Sequence, residues 1–287
     1  MKTRRIVIGL VIIAFCLGIN KFIKVKFTYK NNLGNIVQAK SNVGKEIKSY
    51  SKEDKQHIEY IRKEPKDVNI PILMYHSISS GNSVNNLLVP PEQFEEQIQW
   101  LKENGFTPLF MDEVIESFKT GKVPKRPVAI TFDDGYVDNY TDAYRILKKY
   151  NMKGTFFVIG DCIGQANIYL TMDMLKEMKE NGMAIESHTL NHLVLKGLSK
   201  EEKIKSIKGG QEFLKKHFGI ESKYLCYPVG RYDEETIEIA KELGIEAAVT
   251  TTKGFANVDN GLYSLKRVRM APMDMRTFKE IFKSYMK

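Results

Sequence analysis

The sequence predicts an α/β fold in which parallel strands form a complete or incomplete barrel and helices pack outside it. From about residue 69 onward, short apolar runs alternate with amphipathic stretches, as in repeated strand–helix units. The apolar runs number seven, which suits a barrel better than a short open sheet. Glycines follow several of the amphipathic stretches closely, as expected at helix C-termini: Gly105, Gly182, Gly219 and Gly244.

The apolar runs are the predicted strands, and they are short enough for a buried parallel sheet. They cover residues 70–75, 128–132, 154–159, 183–187, 224–227, 247–251 and 264–270. Apolar residues at helical spacing mark the stretches between them, for example Phe94, Ile98 and Leu101. The predicted helices are 91–104, 138–150, 171–181, 200–217, 233–243 and 274–285.

Residues 1–20 have the pattern of a signal peptide or signal anchor. Lys2, Arg4 and Arg5 precede an uncharged apolar run at 6–19. This run is shorter than the roughly 20 residues of an ordinary membrane span. No small-x-small cleavage site follows it, so both cleavage and retention in the membrane stay open. The pattern predicts export, with the protein secreted to the cell wall or anchored at the extracellular face of the cell.

Residues 21–68 are rich in Lys, Asn, Ser and Glu and are interpreted as a stalk or linker, with one helix near 53–63. The predicted folded domain is 69–287. The lysine excess of the linker would suit contact with a membrane or an anionic wall polymer, although a plain solvated linker has the same composition.

The net charge of +9 is confined to the N-terminal part of the chain. Residues 1–70 hold 15 Lys and Arg against 6 Asp and Glu, whereas residues 71–287 hold 29 of each. A nucleic-acid-binding domain carries its basic patch on the folded part. The neutral charge of that part therefore disfavours a nucleic-acid partner.

The three cysteines, Cys16, Cys162 and Cys226, are too few and too scattered for a disulfide framework. None shows the short paired spacing of a zinc site. Cys162 and Cys226 fall in or beside predicted strands, where a buried free thiol is the simpler interpretation.

Polar residues follow the predicted strands at the points where the strands end. In parallel α/β folds these carboxyl ends meet on one face, where active sites form. The sequence therefore predicts one site there. The residues concerned are His76, Asp133, Asp134, His188, His192 and the run 227–231.

A divalent metal is the ligand that this set best fits. His188 and His192 are four residues apart, a spacing that on a helical turn brings two imidazoles to one side. One carboxylate of the Asp133–Asp134 pair would complete a two-histidine, one-carboxylate set for Zn²⁺, Fe²⁺, Co²⁺ or Mn²⁺. Because consecutive side chains diverge, the other carboxylate is free to act as a general base. A simple Asp-Asp-Gly turn is the alternative, and its position directly after the apolar run 128–132 argues against it.

Three motifs in this order resemble those of the polysaccharide deacetylase family, carbohydrate esterase family four. They are Thr-Phe-Asp-Asp-Gly at 131–135, His-Thr-x-x-His at 188–192 and Tyr-Pro-Val-Gly at 227–230. The resemblance extends over residues 69–285, and Pro-Ile-Leu-Met-Tyr-His at 71–76 is similar to the exported subgroup that includes biofilm poly-N-acetylglucosamine deacetylases.

The resemblance implies a deformed (β/α)7 barrel that removes N-acetyl groups from an N-acetylglucosamine-containing cell-wall or matrix polysaccharide. It makes Asp133 the general base and Asp134, His188 and His192 the metal ligands. The implied cofactor is one divalent ion, Zn²⁺ first, with Co²⁺, Mn²⁺, Fe²⁺ or Ni²⁺ as alternatives. A backbone N–H near Tyr227 would help to hold the oxyanion.

The sequence departs from the family pattern in three places. Cys226 stands where the third motif often has Arg, and Val229 stands where an aromatic residue is usual. The late Leu-x-x-His-Asp motif, which supplies the acid in many members, is absent from the chain. By elimination His76 is the predicted general acid, the alternative being a structural hydrogen bond. Arg267 or Arg231 could replace the missing arginine, or be a plain surface charge.

Tyr227, Pro228, Arg231 and Arg267 are the predicted substrate-binding residues. Two rival functions remain at this point. One is a metal-dependent hydrolase of a non-sugar amide or an O-acetyl ester on the same fold. The other is a catalytically silent glycan-binding module, which is disfavoured because a binder has no need of a base beside a metal.

Overall fold

The computed structural model describes residues 58–81, 86–165 and 167–287. Gln56–Lys287 form one compact unit, and the fold given below is that of this unit. The predicted signal segment, 1–20, and the linker up to residue 57 lie outside the described residues. Within the described part of the chain, no helix is both long enough and apolar enough to cross a membrane.

Ten strands and seven α-helices make up the described part of the chain. The strands are β1 Tyr60–Arg62, β2 Ile72–Tyr75, β3 Thr107–Leu109, β4 Lys122–Pro124, β5 Pro127–Phe132, β6 Thr155–Val158, β7 Ala184–Ser187, β8 Tyr224–Cys226, β9 Ala247–Lys253 and β10 Leu265–Arg269. The helices are α1 Pro91–Glu103, α2 Met111–Thr120, α3 Arg145–Lys149, α4 Met172–Glu180, α5 Lys200–Phe218, α6 Glu234–Glu242 and α7 Met275–Ile281. A π-helical segment, Asn139–Tyr144, leads directly into α3.

Seven parallel strands close into a barrel in the order β2, β10, β9, β8, β7, β6, β5, and β5 pairs with β2 to complete the circle. The barrel is deformed beside β5. The first half of one edge of β5 pairs with β3, and only Thr131 and Phe132 on that edge pair with β6. The predicted deformed (β/α)7 barrel is therefore confirmed, with β3 as an added strand at the distortion.

Alternation along the strands divides the core into an inner and an outer part. The inner cluster includes Ala129, Cys226 and Val249 and continues into α2. One outer cluster contains Tyr75, Phe132 and the residues of α1, α3, α4 and α7 that pack on them. A second outer cluster lies under α5 and α6. Residues of one strand therefore face alternately the barrel interior and a helix. This alternation determines which side chains can reach the site.

The segment between residues 105 and 127 contains elements that the strand and helix predictions missed. Strand β3 has only three residues and includes Pro108, so its pattern is too short to detect. Helix α2 buries Val114, Ile115 and Phe118 and ends at Gly121, whose φ of 68° is left-handed. That apolar spacing with a terminal glycine is a helix signal that the sequence does contain.

The predicted helix near 53–63 is wrong for its described end. Tyr60–Arg62 form β1, which pairs antiparallel with β4, Tyr60 opposite Pro124 and Arg62 opposite Lys122. Tyr60 and Arg62 are exposed whereas Ile61 is half-buried, the alternation of an edge ribbon rather than the stripe of a helix. Val68 is fully buried, so the folded unit begins before residue 69.

Helix α5 packs unusually close to the chain that follows β7. A Cβ built on Gly210 would lie 2.4 Å from Ser187 Oγ and 2.8 Å from the carbonyl carbon of Thr189. A Cβ on the neighbouring Gly209 would meet Leu190 Cδ2 at 2.7 Å, the end of a flexible side chain. Gly210 therefore sets how closely α5 approaches this backbone, whereas the contact at Gly209 can relax.

We expect Gly210→Ala to destabilise the protein. Alanine gains about 1 kcal/mol over glycine in a helix, but a forced contact with fixed backbone costs about 1–3 kcal/mol. The net loss should be up to about 2 kcal/mol in the free energy of unfolding by urea. Gly209→Ala, the matched control, should be neutral or slightly stabilising. A Gly210→Ala protein more stable than the parent would contradict the close packing of α5.

Candidate metal centre and active site

The carboxyl ends of five barrel strands converge on one site. Strand β2 is followed by His76, β5 by Asp133 and Asp134, and β7 by the loop that holds His188 and His192. Strand β8 ends in Cys226, and Arg267 lies within β10. The structure therefore brings together the predicted base, acid and metal ligands, although they are up to 116 positions apart in the sequence.

Asp134, His188 and His192 form the candidate metal centre. Asp134 Oδ1 lies 3.4 Å from His188 Nε2 and 3.5 Å from His192 Nε2. Their potential ligand atoms all lie within 4.8 Å of one another. Ligand atoms about 2.1 Å from a tetrahedral ion are about 3.4 Å apart, so the spacing fits a divalent metal such as Zn²⁺.

The hydrogen bonding of His188 and the pKa of His192 suit metal binding. His188 Nδ1 lies 2.7 Å from the carbonyl oxygen of Cys226, which can only accept, so Nδ1 carries a proton and Nε2 faces Asp134. Burial alone would lower the pKa of His188, but Cys226 and Asp134 outweigh it and raise that pKa, so a bound cation would take the place of the Nε2 proton. Burial and the adjacent His188 lower the pKa of His192 to about 4. His192 is therefore neutral near pH 7 and available as a ligand.

The two histidines reach the metal position through backbone strain rather than through a helical turn. Residues 188–192 form an irregular loop, with Thr189 at φ 68° and His192 at φ 55°. Asp134 also has a left-handed φ, 72°. These conformations are unfavourable for residues other than glycine, above all for the β-branched threonine, and such strain clusters at functional sites. The structure brings the two histidines of the predicted ligand set together, but the helical geometry assumed for their spacing is wrong.

Asp133 pairs with Arg267 instead of joining the three candidate metal ligands. Arg267 Nη1 and Nη2 donate to Asp133 Oδ1 and Oδ2, each at 2.7 Å. Burial alone would raise the pKa of Asp133, but the charge and the two hydrogen bonds of Arg267 outweigh it and hold the pKa well below its usual range. Asp133 is thus an oriented carboxylate at neutral pH, and the predicted divergence of the two aspartates is what the structure shows.

Arg267 is fully buried, and each of its five N–H groups has an acceptor. Besides Asp133, Nη1 donates to Thr131 Oγ1 at 3.1 Å, Nε donates to the Thr250 carbonyl at 2.9 Å and Nη2 donates to Cys226 Sγ at 3.3 Å. Arg267 therefore occupies the place of the arginine that the third motif lacks, and the small Cys226 side chain leaves room for it. A direct substrate contact through Arg267, also predicted, is wrong because the guanidinium has no exposed atom.

His76 is buried beside the base. Its Nε2 lies 3.8 Å from Asp133 Oδ2, and its Nδ1 is buried with no hydrogen-bond partner among the described residues. Burial outweighs the attraction of Asp133 and Asp134 and lowers the pKa of His76. The imidazole is thus within the site, as expected for a group that exchanges a proton there.

The other predicted substrate-binding residues differ in their accessibility. Tyr227 is fully buried, and its ring stacks on Tyr232 with centroids 4.4 Å apart in the cluster under α5 and α6. A substrate contact by the Tyr227 side chain is therefore wrong, because alternation along β8 turns Cys226 inward and Tyr227 outward. Pro228 is buried and Arg231 is exposed.

Cys226 is a site residue that spacing alone could not identify. Its sulfur, Asp133 and His188 form a second group whose potential ligand atoms lie within 4.8 Å. Both Asp133 oxygens accept hydrogen bonds from Arg267, however, and burial raises the pKa of the Cys226 thiol. The thiol therefore stays protonated and serves as a neighbour of Arg267 rather than as a metal ligand.

Comparison with known proteins agrees with this site. Residues 120–248 match the profile of the polysaccharide deacetylase family. YxkH of Bacillus subtilis, whose name assigns it to the polysaccharide deacetylases, is 45% identical over 211 residues, which cover 73% of this chain and 74% of YxkH. A poly-β-1,6-N-acetyl-D-glucosamine N-deacetylase of Staphylococcus epidermidis is 31% identical over 81% of this chain and 84% of its own. The crystallographic relative PplD, a deacetylase of Streptococcus pyogenes in complex with acetate, superposes with a TM-score of 0.71 at 36% identity, over 77% of this chain and 99% of PplD.

Fold and site together define a class of protein, the hydrolases. At the mouth of its seven-stranded barrel the chain has a candidate set of metal ligands beside an oriented carboxylate. The chain belongs to the polysaccharide deacetylase family. The resemblance found in the three motifs, and the prediction of an enzyme, are therefore confirmed.

We expect Arg267→Lys to lower both stability and activity, because an ammonium cannot form the same fork of hydrogen bonds. The lost bonds should cost about 1–3 kcal/mol in unfolding free energy at pH 7. In the parent protein the pKa of Asp133 is depressed in the folded state. Its contribution to the unfolding free energy is therefore constant at every pH above about 3.9, the pKa of an aspartate in the unfolded chain. In the variant the pKa of Asp133 rises, so the folded state takes up a proton more readily. The difference in unfolding free energy between parent and variant should therefore narrow from pH 7 to pH 4.5.

Urea unfolding at both pH values measures this effect. Arg276→Lys is the control, since the Arg276 side chain is 87% exposed. A deficit that stays the same or widens at pH 4.5 would argue against Arg267 as the group that keeps Asp133 ionised.

Substitution of the two aspartates should separate metal binding from catalysis. Asp134→Asn is expected to weaken the binding of Zn²⁺ and Co²⁺ strongly, because it removes a proposed ligand. The loss should exceed the about 10–100-fold that is typical when a residue supporting a metal ligand is replaced. Asp133→Asn should keep metal binding, because its carboxylate faces Arg267 instead. Titration calorimetry on both variants measures this. Loss of metal by Asp133→Asn with retention by Asp134→Asn would reverse the two roles.

Proposed function

We propose that this protein hydrolyses the N-acetyl groups of an N-acetylglucosamine-containing polysaccharide of the cell wall or matrix, releasing acetate and leaving free amino groups. The observation that carries the proposal is the division of labour between two adjacent carboxylates. Asp134 faces two imidazoles at metal-ligand spacing, and Asp133 is held ionised beside them by Arg267. A hydrolytic site needs this pairing of a metal position with a base, whereas a glycan-binding module does not.

Asp134, His188 and His192 are the residues that would hold the metal, and Zn²⁺ fits them best, with Co²⁺, Mn²⁺, Fe²⁺ or Ni²⁺ as alternatives. A bound divalent ion supplies Lewis-acid chemistry, polarising the amide carbonyl and lowering the pKa of a water. The protein contributes the rest: Asp133 accepts the proton of the attacking water, and Arg267 keeps that carboxylate ionised and oriented.

Collapse of the tetrahedral intermediate requires a proton on the departing nitrogen. His76 is the residue placed to give it, because its Nε2 lies on the Asp133 side of the site. Because its lowered pKa leaves His76 neutral near pH 7, the proton that it donates is the one that Asp133 took from water and passed to it. The C–N bond breaks, the nitrogen takes this proton from His76 and leaves as the sugar amine, and the acetyl carbon leaves as acetate. A backbone N–H near Tyr227 is proposed to stabilise the oxyanion.

The substrate assignment is supported by the relatives. The Staphylococcus epidermidis protein is named for poly-β-1,6-N-acetyl-D-glucosamine, and the PplD structure contains acetate, the acid that N-deacetylation releases. An extracellular polymer also agrees with the signal pattern at 1–20, from which we propose an exported protein, secreted or membrane-anchored. The lysine-rich linker is proposed to contact the membrane or an anionic wall polymer.

Acetate release tests the function. The full-length protein would be incubated with β-1,6-linked N-acetylglucosamine pentamer and, separately, with peptidoglycan fragments, each with and without chelator. We expect acetate from at least one substrate, loss of activity with chelator and its recovery with Zn²⁺ or Co²⁺. Asp133→Asn should reduce kcat by about 10²–10⁴-fold, the usual contribution of a general base.

Two results would contradict the proposal. Acetate release from an O-acetylated polymer, with none from either N-acetylated substrate, would favour the ester hydrolase. A folded, metal-loaded protein that binds the glycan without hydrolysing it would favour the binding module.

A further inference from the structure

The end of β2, which carries His76, is bound to a short segment that follows the two aspartates. Asp138 Oδ2 accepts a hydrogen bond from Ser77 Oγ at 2.5 Å, and Asp138 Oδ1 accepts one from the Ile78 N–H at 3.0 Å. Ser77 Oγ also lies 2.7 Å from Ser79 Oγ, which must donate to it because Ser77 donates to Asp138. One carboxylate thus fixes the two residues that follow His76.

The next residue, Asn139, holds His76 itself. Its Nδ2 donates to the His76 carbonyl at 2.7 Å and to Asp138 Oδ1 at 3.1 Å. Asn139 has no exposed atom, so these bonds are shielded from water. Asp138 and Asn139 therefore bind three consecutive residues, His76, Ser77 and Ile78, and are called the clamp below.

The clamp belongs to the same stretch of chain as the base and a metal ligand. Asp133 N–H donates to the Tyr75 carbonyl at 2.9 Å, so residues 133–139 bond to the end of β2 at both of their ends. Asn139 begins the π-helical segment Asn139–Tyr144. Such π segments are rare and are frequently found at functional sites, and here the segment starts at the clamp.

No hydrogen bond among the described residues orients the buried imidazole of His76. Its Nδ1 has no hydrogen-bond partner there, and Nε2 is 3.8 Å from Asp133 Oδ2, beyond ordinary hydrogen-bond length. Its position in the site is therefore set by packing and by its backbone. A displacement of about 1 Å in a reacting group can cost about 100-fold in rate, so control of this backbone has catalytic consequences.

We propose that Asp138 and Asn139 are positioning residues that hold the general acid His76 at the departing nitrogen. The inference rests on the proposed function, because it takes His76 as the proton donor. The clamp acts on one step: the C–N bond breaks with its electron pair on nitrogen, and that nitrogen takes the proton from His76. It has no part in the attack of water, which uses Asp133.

The leaving group distinguishes a positioning role from a purely structural one. An amine leaves from an amide only when it is protonated, whereas 4-nitrophenolate leaves from 4-nitrophenyl acetate without a proton. Variants Asp138→Asn and Ser77→Ala would be assayed with the N-acetylglucosamine pentamer and with this ester, in the full-length protein. Ser77→Ala is the milder change and serves if Asp138→Asn folds poorly. Asp142→Asn is the matched control, since it makes the same change four residues later, within the π-helical segment that Asp138 precedes.

We expect Asp138→Asn to lower kcat/KM for the pentamer about 10–100-fold while the ester rate changes by less than about twofold, a pattern shared with His76→Ala. Asp142→Asn should leave both rates unchanged. Because clamp and acid act as one unit, the double variant His76→Ala with Asp138→Asn should be no slower than His76→Ala alone.

Four outcomes would overturn the clamp. Equal losses on amide and ester would mean that it supports the whole site, and additive losses in the double variant would mean that it acts apart from His76. Full amide activity in Asp138→Asn and Ser77→Ala, with a slow His76→Ala, would remove the clamp but keep the acid. Full amide activity in His76→Ala would instead refute the acid assignment of the proposed function, and the clamp with it.

Discussion

The buried ion pair of Arg267 and Asp133 is the interaction on which the rest of the site depends. Taking two charges out of water costs several kcal/mol for each ion, which is offset only when geometry and additional hydrogen bonds are favourable. Here the pair is bidentate, and the remaining N–H groups of Arg267 reach acceptors on β5, β8 and β9. Since β5 and β10 flank β2, the pair also joins the two neighbours of the strand that carries His76. A stability requirement of the barrel and an electrostatic requirement of the base are met by the same side chain.

The adjacent carboxylates show how environment gives one residue type two roles. Asp133 and Asp134 follow the same strand, yet one faces a guanidinium and the other faces two imidazoles. The left-handed φ of Asp134 turns its side chain toward β7, and the inward direction of Asp133 continues the alternation of Ala129 and Thr131. Groups whose surroundings differ in this way take different tasks in catalysis. The strained residues Thr189 and His192 complete the arrangement from the loop after β7, and α5 packs closely on that loop at Gly210.

Much of the barrel could be predicted because its strands are continuous apolar runs, a signal that the alternation with helices reinforces. The five acidic and imidazole side chains of the site could be predicted because they follow those strands. The missed strands, β1, β3 and β4, have three residues each, too few for any periodicity. The side-chain directions were harder: Tyr227 is one residue beyond the inward Cys226 and faces the helices instead of the substrate. The existence of short strands, and the face to which the last side chain of a strand points, both depend on how the strands pair in the fold. A single sequence does not show this pairing.

The position of the arginine bears on how motifs should be interpreted in this family. Cys226 occupies the place where an arginine was expected, and by motif alone the base would lack its partner. A barrel interior is reached from every strand, however, so a guanidinium from β10 can occupy the volume that a side chain from β8 leaves free. The small sulfur of Cys226, 3.3 Å from Arg267 Nη2, shows that the two positions share this space. An arginine at 226 would bring a second cation against Arg267, so the two residues constrain each other. The loss of a motif residue is therefore weak evidence that a family member is catalytically inactive. It becomes stronger evidence only when no inward-facing residue of the neighbouring strands can replace the lost side chain.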